Sequence, residues 1–285
     1  MMDRDIEKER LLIAAANLTD IADCLLKEAV QLTEYLRAVT ITVISRWCND
    51  AMIAPFFLEH YKWADEIIIL LSSDTTDDTR EIISKYENAR VVEFEYESGT
   101  FNVMEASKAI HAETRKVTTD WLIAVDADEF VFVDDFSDVR YFLSKVVGNV
   151  VYVDFYNVYK HRSELPLDPT IPAVFMRRHG DPDREANNGR YKKPVIVRTR
   201  IKFTWSLGMH SIEPSTRIKV SKPRLIGSHW RMADVSLAIS RRMRGRRENL
   251  LQKDIDNQWS CDNFDVTIDE IRKECEQHLD DPQVF

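Results

Sequence analysis

An α/β fold with a mainly parallel sheet flanked by helices is predicted by three observations. Short apolar runs rich in β-branched residues recur between residues 39 and 125. Helix-compatible stretches separate them, as parallel strands require. The fourth run ends directly in Asp126-Ala127-Asp128-Glu129, and in such sheets ligands bind beyond the carboxyl ends of the strands.

The elements follow in order. Residues 3 to about 37 read as a helix, with Leu18, Ile21, Leu25, Leu32 and Leu36 on one face and no glycine or proline to interrupt it. It either packs on the domain behind it or pairs with a second copy in a homodimer. Val39–Ser45 is the first strand, and Ala51–Lys62 the helix after it. Glu66–Leu71 and Val91–Tyr96 are the next strands, followed by helices over Thr75–Tyr86 and Phe101–Val117. Trp121–Val125 is the fourth strand. The edge rule then gathers Arg46–Asp50, Ser72–Asp78, Ser98–Asn102 and Asp126–Glu129 in space.

Beyond a helix over Asp138–Val147 and a strand over Val150–Tyr156, Lys160–Lys193 is rich in Pro, Arg, Asp and Asn, which marks a loop or lid. Val195–Thr204 and Arg224–Ser228 read as further strands, Val235–Gln252 as a basic helix and Ile268–Leu279 as a short terminal one. The division is an N-terminal helical segment (1–38), a catalytic domain (39–234) and a C-terminal helical region (235–285).

Composition removes several classes. Only 7 glycines, none in a dinucleotide or P-loop pattern, leave those enzymes without support. A net charge of −9 argues against a nucleic-acid partner. Cys24, Cys48, Cys261 and Cys275 are scattered, which favours reduced, mostly buried thiols over zinc. No apolar run approaches the ~20 residues that span a bilayer, and the N-terminus is too acidic for a targeting peptide. The expected location is cytoplasmic.

Asp126 and Asp128 carry the chemistry. Alternation along an extended chain would point both to one side, with Ala127 opposite. Paired carboxylates at a strand end suit hard cations such as Mn²⁺ or Mg²⁺, which complete their shell with water and substrate phosphates. The bland alternative is an acidic turn that caps the next element.

Around this motif the sequence resembles family 2 glycosyltransferases, and more closely the subgroup near family 92. The anchors are Ile41–Asp50 with Phe57-Leu58-Glu59-His60-Tyr61, Asp74–Glu81, Asp126–Phe130, Lys193–Arg198, Gly208-Met209-His210 and Ser228–Arg231. The resemblance implies a GT-A (Rossmann-like) fold, a nucleotide-diphosphate sugar donor and a glycan or lipid-linked acceptor. It implies Asp126, Asp128, His210 and His229 as metal ligands. It implies Ser45, Arg46, Asn49, Ser72, Asp77, Lys108, Asp126, Ala127 and Arg231 as donor contacts. Ser72 stands where many relatives carry an aspartate, and Asp77 serves equally well as a helix cap. The family usually inverts, which needs one carboxylate base; the candidates are Asp154, Asp181 and Asp183, with Glu185 and Glu213 behind them.

Arg241, Arg242, Arg244, Arg246 and Arg247 read as a solvated helix face, as anion capture, or as a patch drawn to an anionic membrane surface. Trp205, Trp230 and Tyr191 read as core or as sugar-stacking rings. Two rival functions stand beside the glycosyltransferase: a non-catalytic binding module of the same fold, and a metal-dependent nucleotidyltransferase.

Overall fold

The computed structural model describes residues 18, 21–30, 39–97, 102–180, 190–214, 219–221, 225–244, 250, 252–257 and 265–285. The side chains of 190, 191, 214, 221 and 231 are outside that description. The chain divides into two compact units, Met1–Val39 and Thr40–Phe285. In the first, residues 21–30 form a helix (α1) that exposes Ile21, Leu25, Leu26 and Val30. The rest of the predicted N-terminal helix lies outside the described residues, Leu18 apart.

The second unit is built on one mixed sheet. Its first half follows the sequence pattern: β1 (Ile41–Trp47), α2 (Ala54–Tyr61), β2 (Glu66–Ser72), α3 (Thr79–Ile83), β3 (Ala89–Phe94), α4 (Val103–Thr114) and β4 (Trp121–Ala124). Then come β5 (Glu129–Val133), α5 (Val139–Lys145), β6 (Val150–Tyr159), α6 (Ala173–Met176), β7 (His179–Gly180) and β8 (Arg190–Arg198). Last are β9 (Phe203–Trp205), β10 (Ile212–Pro214), β11 (Val220–Ser221), β12 (Leu225–Met232), α7 (Val235–Arg244), α8 (Gln252–Asp256) and α9 (Ile268–Gln277). The strand order is β3-β2-β1-β4-β8-β6-β12-β5, with β7 and β11 attached to β6.

Only β3, β2, β1 and β4 form the predicted all-parallel block. The second half is mixed: β8 runs antiparallel to β4 and β6, while β12 is parallel to β6 and antiparallel to β5. Central strands of the parallel block are buried on both faces, as helical cover on each side demands. Ile44, Ile68, Leu70, Leu122, Ala124 and Val197 pack on one face with Ile110, Trp205 and Met209.

Several boundaries move for local reasons. The first strand starts and ends two residues later than predicted, taking in Arg46 and Trp47. The Thr75–Tyr86 helix shrinks to α3, because Asn49 and Asp77 side chains hold residues 76–79 in a loop. The predicted strand over Val195–Thr204 is two strands separated by a turn at Thr199–Lys202. The irregular Lys160–Lys193 stretch contains α6, β7 and the start of β8. The basic helix ends at Arg244 among the described residues, and Gln252 begins the separate α8.

β5 was not anticipated, and α2 explains its position. Tyr61 Oη donates to the Glu129 carbonyl (2.9 Å) and accepts from the Val131 N–H (3.0 Å). His60 Nε2 lies 2.9 Å from the Val131 carbonyl oxygen. Phe56, Phe57, Phe130 and Trp230 add edge and tilted ring contacts around this grip. The acidic turn between β4 and β5 is therefore anchored immediately after its last residue.

Candidate functional site

The site starts from that turn. Asp126–Glu129 closes on itself: Glu129 N–H donates to the Asp126 carbonyl (3.0 Å), and Asp126 N–H donates to Glu129 Oε2 (3.1 Å). This replaces the extended alternation expected of Asp126 and Asp128, and the two carboxylates acquire different partners.

Lys193, projecting from β8, enters beneath the turn. Its Nζ is 2.5 Å from Glu129 Oε1 and 3.1 Å from Asp126 Oδ2. Glu129 is fully buried and Lys193 almost so, whereas Asp126 keeps 30% side-chain exposure. Of the three acidic side chains in the turn, Asp126 is thus the one open to solvent. Burial disfavours the ammonium, but Glu129 and Asp126 outweigh it and raise the Lys193 pKa. Burial likewise opposes ionised Asp126, and Lys193 with Arg46 outweighs it and lowers that pKa.

Asp128 is buried. Its Oδ2 lies 3.2 Å from Nε2 of His229 and its Oδ1 3.1 Å from Nη2 of Arg241. The Arg241 contact is out of line for a hydrogen bond, so Oδ1 is buried without a donor. Burial would raise the Asp128 pKa; Arg241 and His229 overcome it and hold the carboxyl well below the usual range.

His229 is oriented from behind. It pairs in register with Asn157 across β12 and β6, and Asn157 Oδ1 accepts from its Nδ1 at 2.5 Å. That bond leaves Nε2 as the nitrogen facing Asp128. Nε2 and Asp128 Oδ2 stand 3.2 Å apart, a nitrogen and an oxygen of the kinds that bind divalent cations.

Arg241 reaches further. Its Nη1 is 3.2 Å from Asp50 Oδ1, and Arg244 Nη2 is 2.9 Å from the same oxygen. The other Asp50 oxygen accepts from Cys48 N–H at 3.0 Å. α7 is in this way tied to the end of β1 and to the acidic turn. Arg242 pairs instead with Glu274 on α9, and Arg246 and Arg247 lie outside the described residues. The three described arginines are all engaged in ion pairs.

Other expected residues divide. His210 lies two residues after Gly208, whose φ of +68° favours glycine and whose missing Cβ would stand 2.9 Å from the His210 ring. Partial desolvation and Lys193 lower the His210 pKa, against the pull of Asp126 and Glu129. Asn49 and Asp77 are loop-builders: Asn49 Oδ1 accepts from the Thr76 and Asp77 N–H groups, and Asp77 accepts from Ala51 and Thr79.

Ser45 is fully buried and takes the Trp47 indole N–H at 2.8 Å. Ser72 is also fully buried, its hydroxyl accepting from Asp74 N–H. Ala127 is buried inside the turn, Arg46 is half-buried at the end of β1, and Lys108 is exposed along α4. For Arg231 only the backbone, in β12, is described.

Strand parity places Asp154. It lies three residues before Asn157 on β6, so the two side chains leave opposite faces of the sheet. It pairs at 3.4 Å with Lys192 rather than joining the Asn157–His229 face. Asp181, Asp183 and Glu185 lie outside the described residues, and Glu213 sits exposed on the separate β9–β10 hairpin. Trp205 and Trp230 are core residues.

Among the described residues no three His, Cys, Asp or Glu side chains converge into a ready metal cage. The chemistry nevertheless fits a hard divalent cation, which takes one or two carboxylates and fills its shell with water and phosphate oxygens. Asp128 Oδ1 is a buried oxygen lacking a donor, and the Asn157-oriented His229 presents Nε2 beside it. The edge rule already placed Asp50 beside this turn; sequence reasoning missed Asn157 and the pairing of Lys193 and Arg241 with the turn's carboxylates.

Residues 57–203 match the model of glycosyl transferase family 2. Among solved structures the chain is similar to S. aureus TarS 1-349, with 18% identity over 56% of this chain and 47% of that one, TM-score 0.35. A second S. aureus TarS structure has 15% identity over 77% and 42%, TM-score 0.39. Glucosyl-3-phosphoglycerate synthase from Mycobacterium tuberculosis, in complex with Mn²⁺, UDP and phosphoglyceric acid, has 17% identity over 46% of each chain, TM-score 0.29. The chain spans less than half the length of these solved relatives. No curated protein matches it.

Proposed function

The chain belongs to glycosyl transferase family 2, and from that membership we propose that it moves a sugar from a nucleotide-diphosphate donor to a glycan or lipid-linked acceptor with the aid of Mn²⁺ or Mg²⁺. The observation that carries the reading is the Asp128–His229 pair, its carboxylate buried and its ring half-buried, oriented by Asn157 and set beside the partly exposed Asp126 at the carboxyl edge of the sheet. Asp128 and His229 would hold the cation, with His210 within its electrostatic reach. When bound, the cation neutralises charge building on the leaving diphosphate.

The protein's own groups do the rest. Lys193 fixes the turn by binding Asp126 and Glu129 together. Asp126, the exposed carboxylate, faces the donor. Inversion at the anomeric carbon requires a base within hydrogen-bond reach of the acceptor hydroxyl; Asp181 and Asp183 remain the candidates, since Asp154 leaves the opposite face. The anchors Glu59-His60-Tyr61, Asp126–Phe130 and Gly208–His210 support a place near family 92.

A donor-hydrolysis screen tests the proposal. The protein and an Asp128→Asn variant are incubated with a panel of nucleotide sugars, with Mn²⁺ or with chelator. The expected result is slow release of nucleotide from one donor, dependent on metal and absent in the variant. No release together with no metal-dependent thermal stabilisation by any donor would favour a non-catalytic binding module.

A further inference from the structure

We propose that Arg241 is a diphosphate-binding residue that is stored across Asp128 and Asp50 while the donor is absent, and that exchanges Asp128 for the donor's diphosphate when the cation arrives. The inference rests on the metal–diphosphate reading above and adds to it a residue that must move.

The geometry makes Arg241 the exchangeable partner. It touches Asp128 Oδ1 at 3.1 Å without hydrogen-bond alignment, so this contact is charge against charge alone. A divalent ion on Asp128 would bring two or three positive charges together in a buried setting, and repulsion at that range is large in low dielectric. Asp50 does not hold Arg241 in place by need, because Arg244 already lies 2.9 Å from the same Asp50 oxygen. Arg241 is 22% exposed, which gives its guanidinium a path to solvent.

Charge then dictates where it goes. In the donor-free site Asp128 is compensated by Arg241. With the cation on Asp128, Arg241 becomes surplus positive charge beside the metal. A diphosphate brings the negative charge that restores balance, and a guanidinium fork suits two phosphate oxygens. Cation and diphosphate therefore bind cooperatively: each lowers the cost of the rearrangement the other requires. Arg244, which touches Asp50 alone among these carboxylates, takes no part in the exchange.

The test reads binding rather than turnover. Mn²⁺ affinity is measured by the loss of the free-ion electron paramagnetic resonance signal for the full chain and for Arg241→Gln, Arg244→Gln and Arg241→Gln/Asp128→Asn. Inorganic pyrophosphate affinity is measured by calorimetry at fixed excess Mg²⁺. Arg241→Gln is expected to tighten Mn²⁺ binding about tenfold and to weaken pyrophosphate binding about as much. Arg244→Gln, with the same change in net charge, is expected to move Mn²⁺ affinity less than about threefold. Arg241→Lys keeps the charge without the fork that spans two carboxylates. It falls between, and guards against a folding defect in the Gln variant.

Mn²⁺ affinity unchanged or weakened in Arg241→Gln, or pyrophosphate affinity unchanged, overturns the exchange while leaving the metal reading standing. If Asp128→Asn in the Arg241→Gln background leaves Mn²⁺ affinity unaltered, the metal site itself is wrong and the exchange falls with it.

Discussion

Trp230 donates its backbone N–H to the carbonyl oxygen of Asp128 at 2.9 Å. The residue before Trp230 is His229, whose ring faces the Asp128 carboxylate. One short stretch of β12 thus fixes both the main chain and the side-chain environment of the central aspartate.

Lys193 is expected to matter first for stability. Its removal by Lys193→Met leaves Glu129, fully buried, without its ammonium partner. Breaking a buried pair from one side costs about 3–5 kcal/mol. Urea unfolding followed by circular dichroism checks this, and the double variant Lys193→Met/Glu129→Leu is expected to recover most of the loss. A single variant as stable as the parent would mean that the turn is not held by this pair.

His60 gives the fold an acid limit. Burial lowers its pKa to about 4 from the ordinary 6.5, against the Val131 carbonyl bond. Between these values an unfolded chain takes up a proton that the folded chain refuses. Stability is therefore untouched above about pH 6.5 and falls as pH drops toward about 4. The full shift would be worth about 3 kcal/mol; the ring is half-buried, and screening reduces the expected loss to about 2 kcal/mol. Chemical denaturation at pH 7.5, 6 and 5 is expected to show a shallower decline for His60→Gln than for the parent. Parallel curves would reject the assignment.

Asn157 is expected to act on the metal through His229. Asn157→Ala removes the acceptor that fixes Nδ1. Loss of such a partner weakens metal binding by about 10–100-fold. Mn²⁺ titration of the variant is the measurement, with Asp154→Ala, on the opposite face of β6, expected to stay within about threefold of the parent. Equal losses in both variants would show a general effect of disturbing the strand.

Much of this was legible in the residues, and what was not has a common cause. The parallel block and the acidic turn at its edge are local features, carried by β-branched runs and by Asp126-Ala127-Asp128-Glu129. The partners of that turn are not local. Arg241 meets Asp50 across 191 positions, and Lys193 meets Glu129 across 64. No period or spacing encodes such pairs. The side on which Ser45 lies was not legible because β1 is buried on both sides, so alternation along it carries no inside or outside. For Asp154 the case is the opposite: parity along β6 does separate its faces, but the face that bears the His229–Asn157 contact is known only from the structure.

The hold of α2 on β5 has a consequence for how this protein can diversify. The hydrogen bonds of Tyr61 and His60 to β5 go to main-chain atoms, the carbonyl of Glu129 and the N–H and carbonyl of Val131. Those bonds do not depend on the side chain at position 131. Substitution at Val131 can alter the local packing while the hydrogen bonds that seat the strand remain. Substitution at Tyr61 does the reverse, displacing a site to which it contributes no functional group.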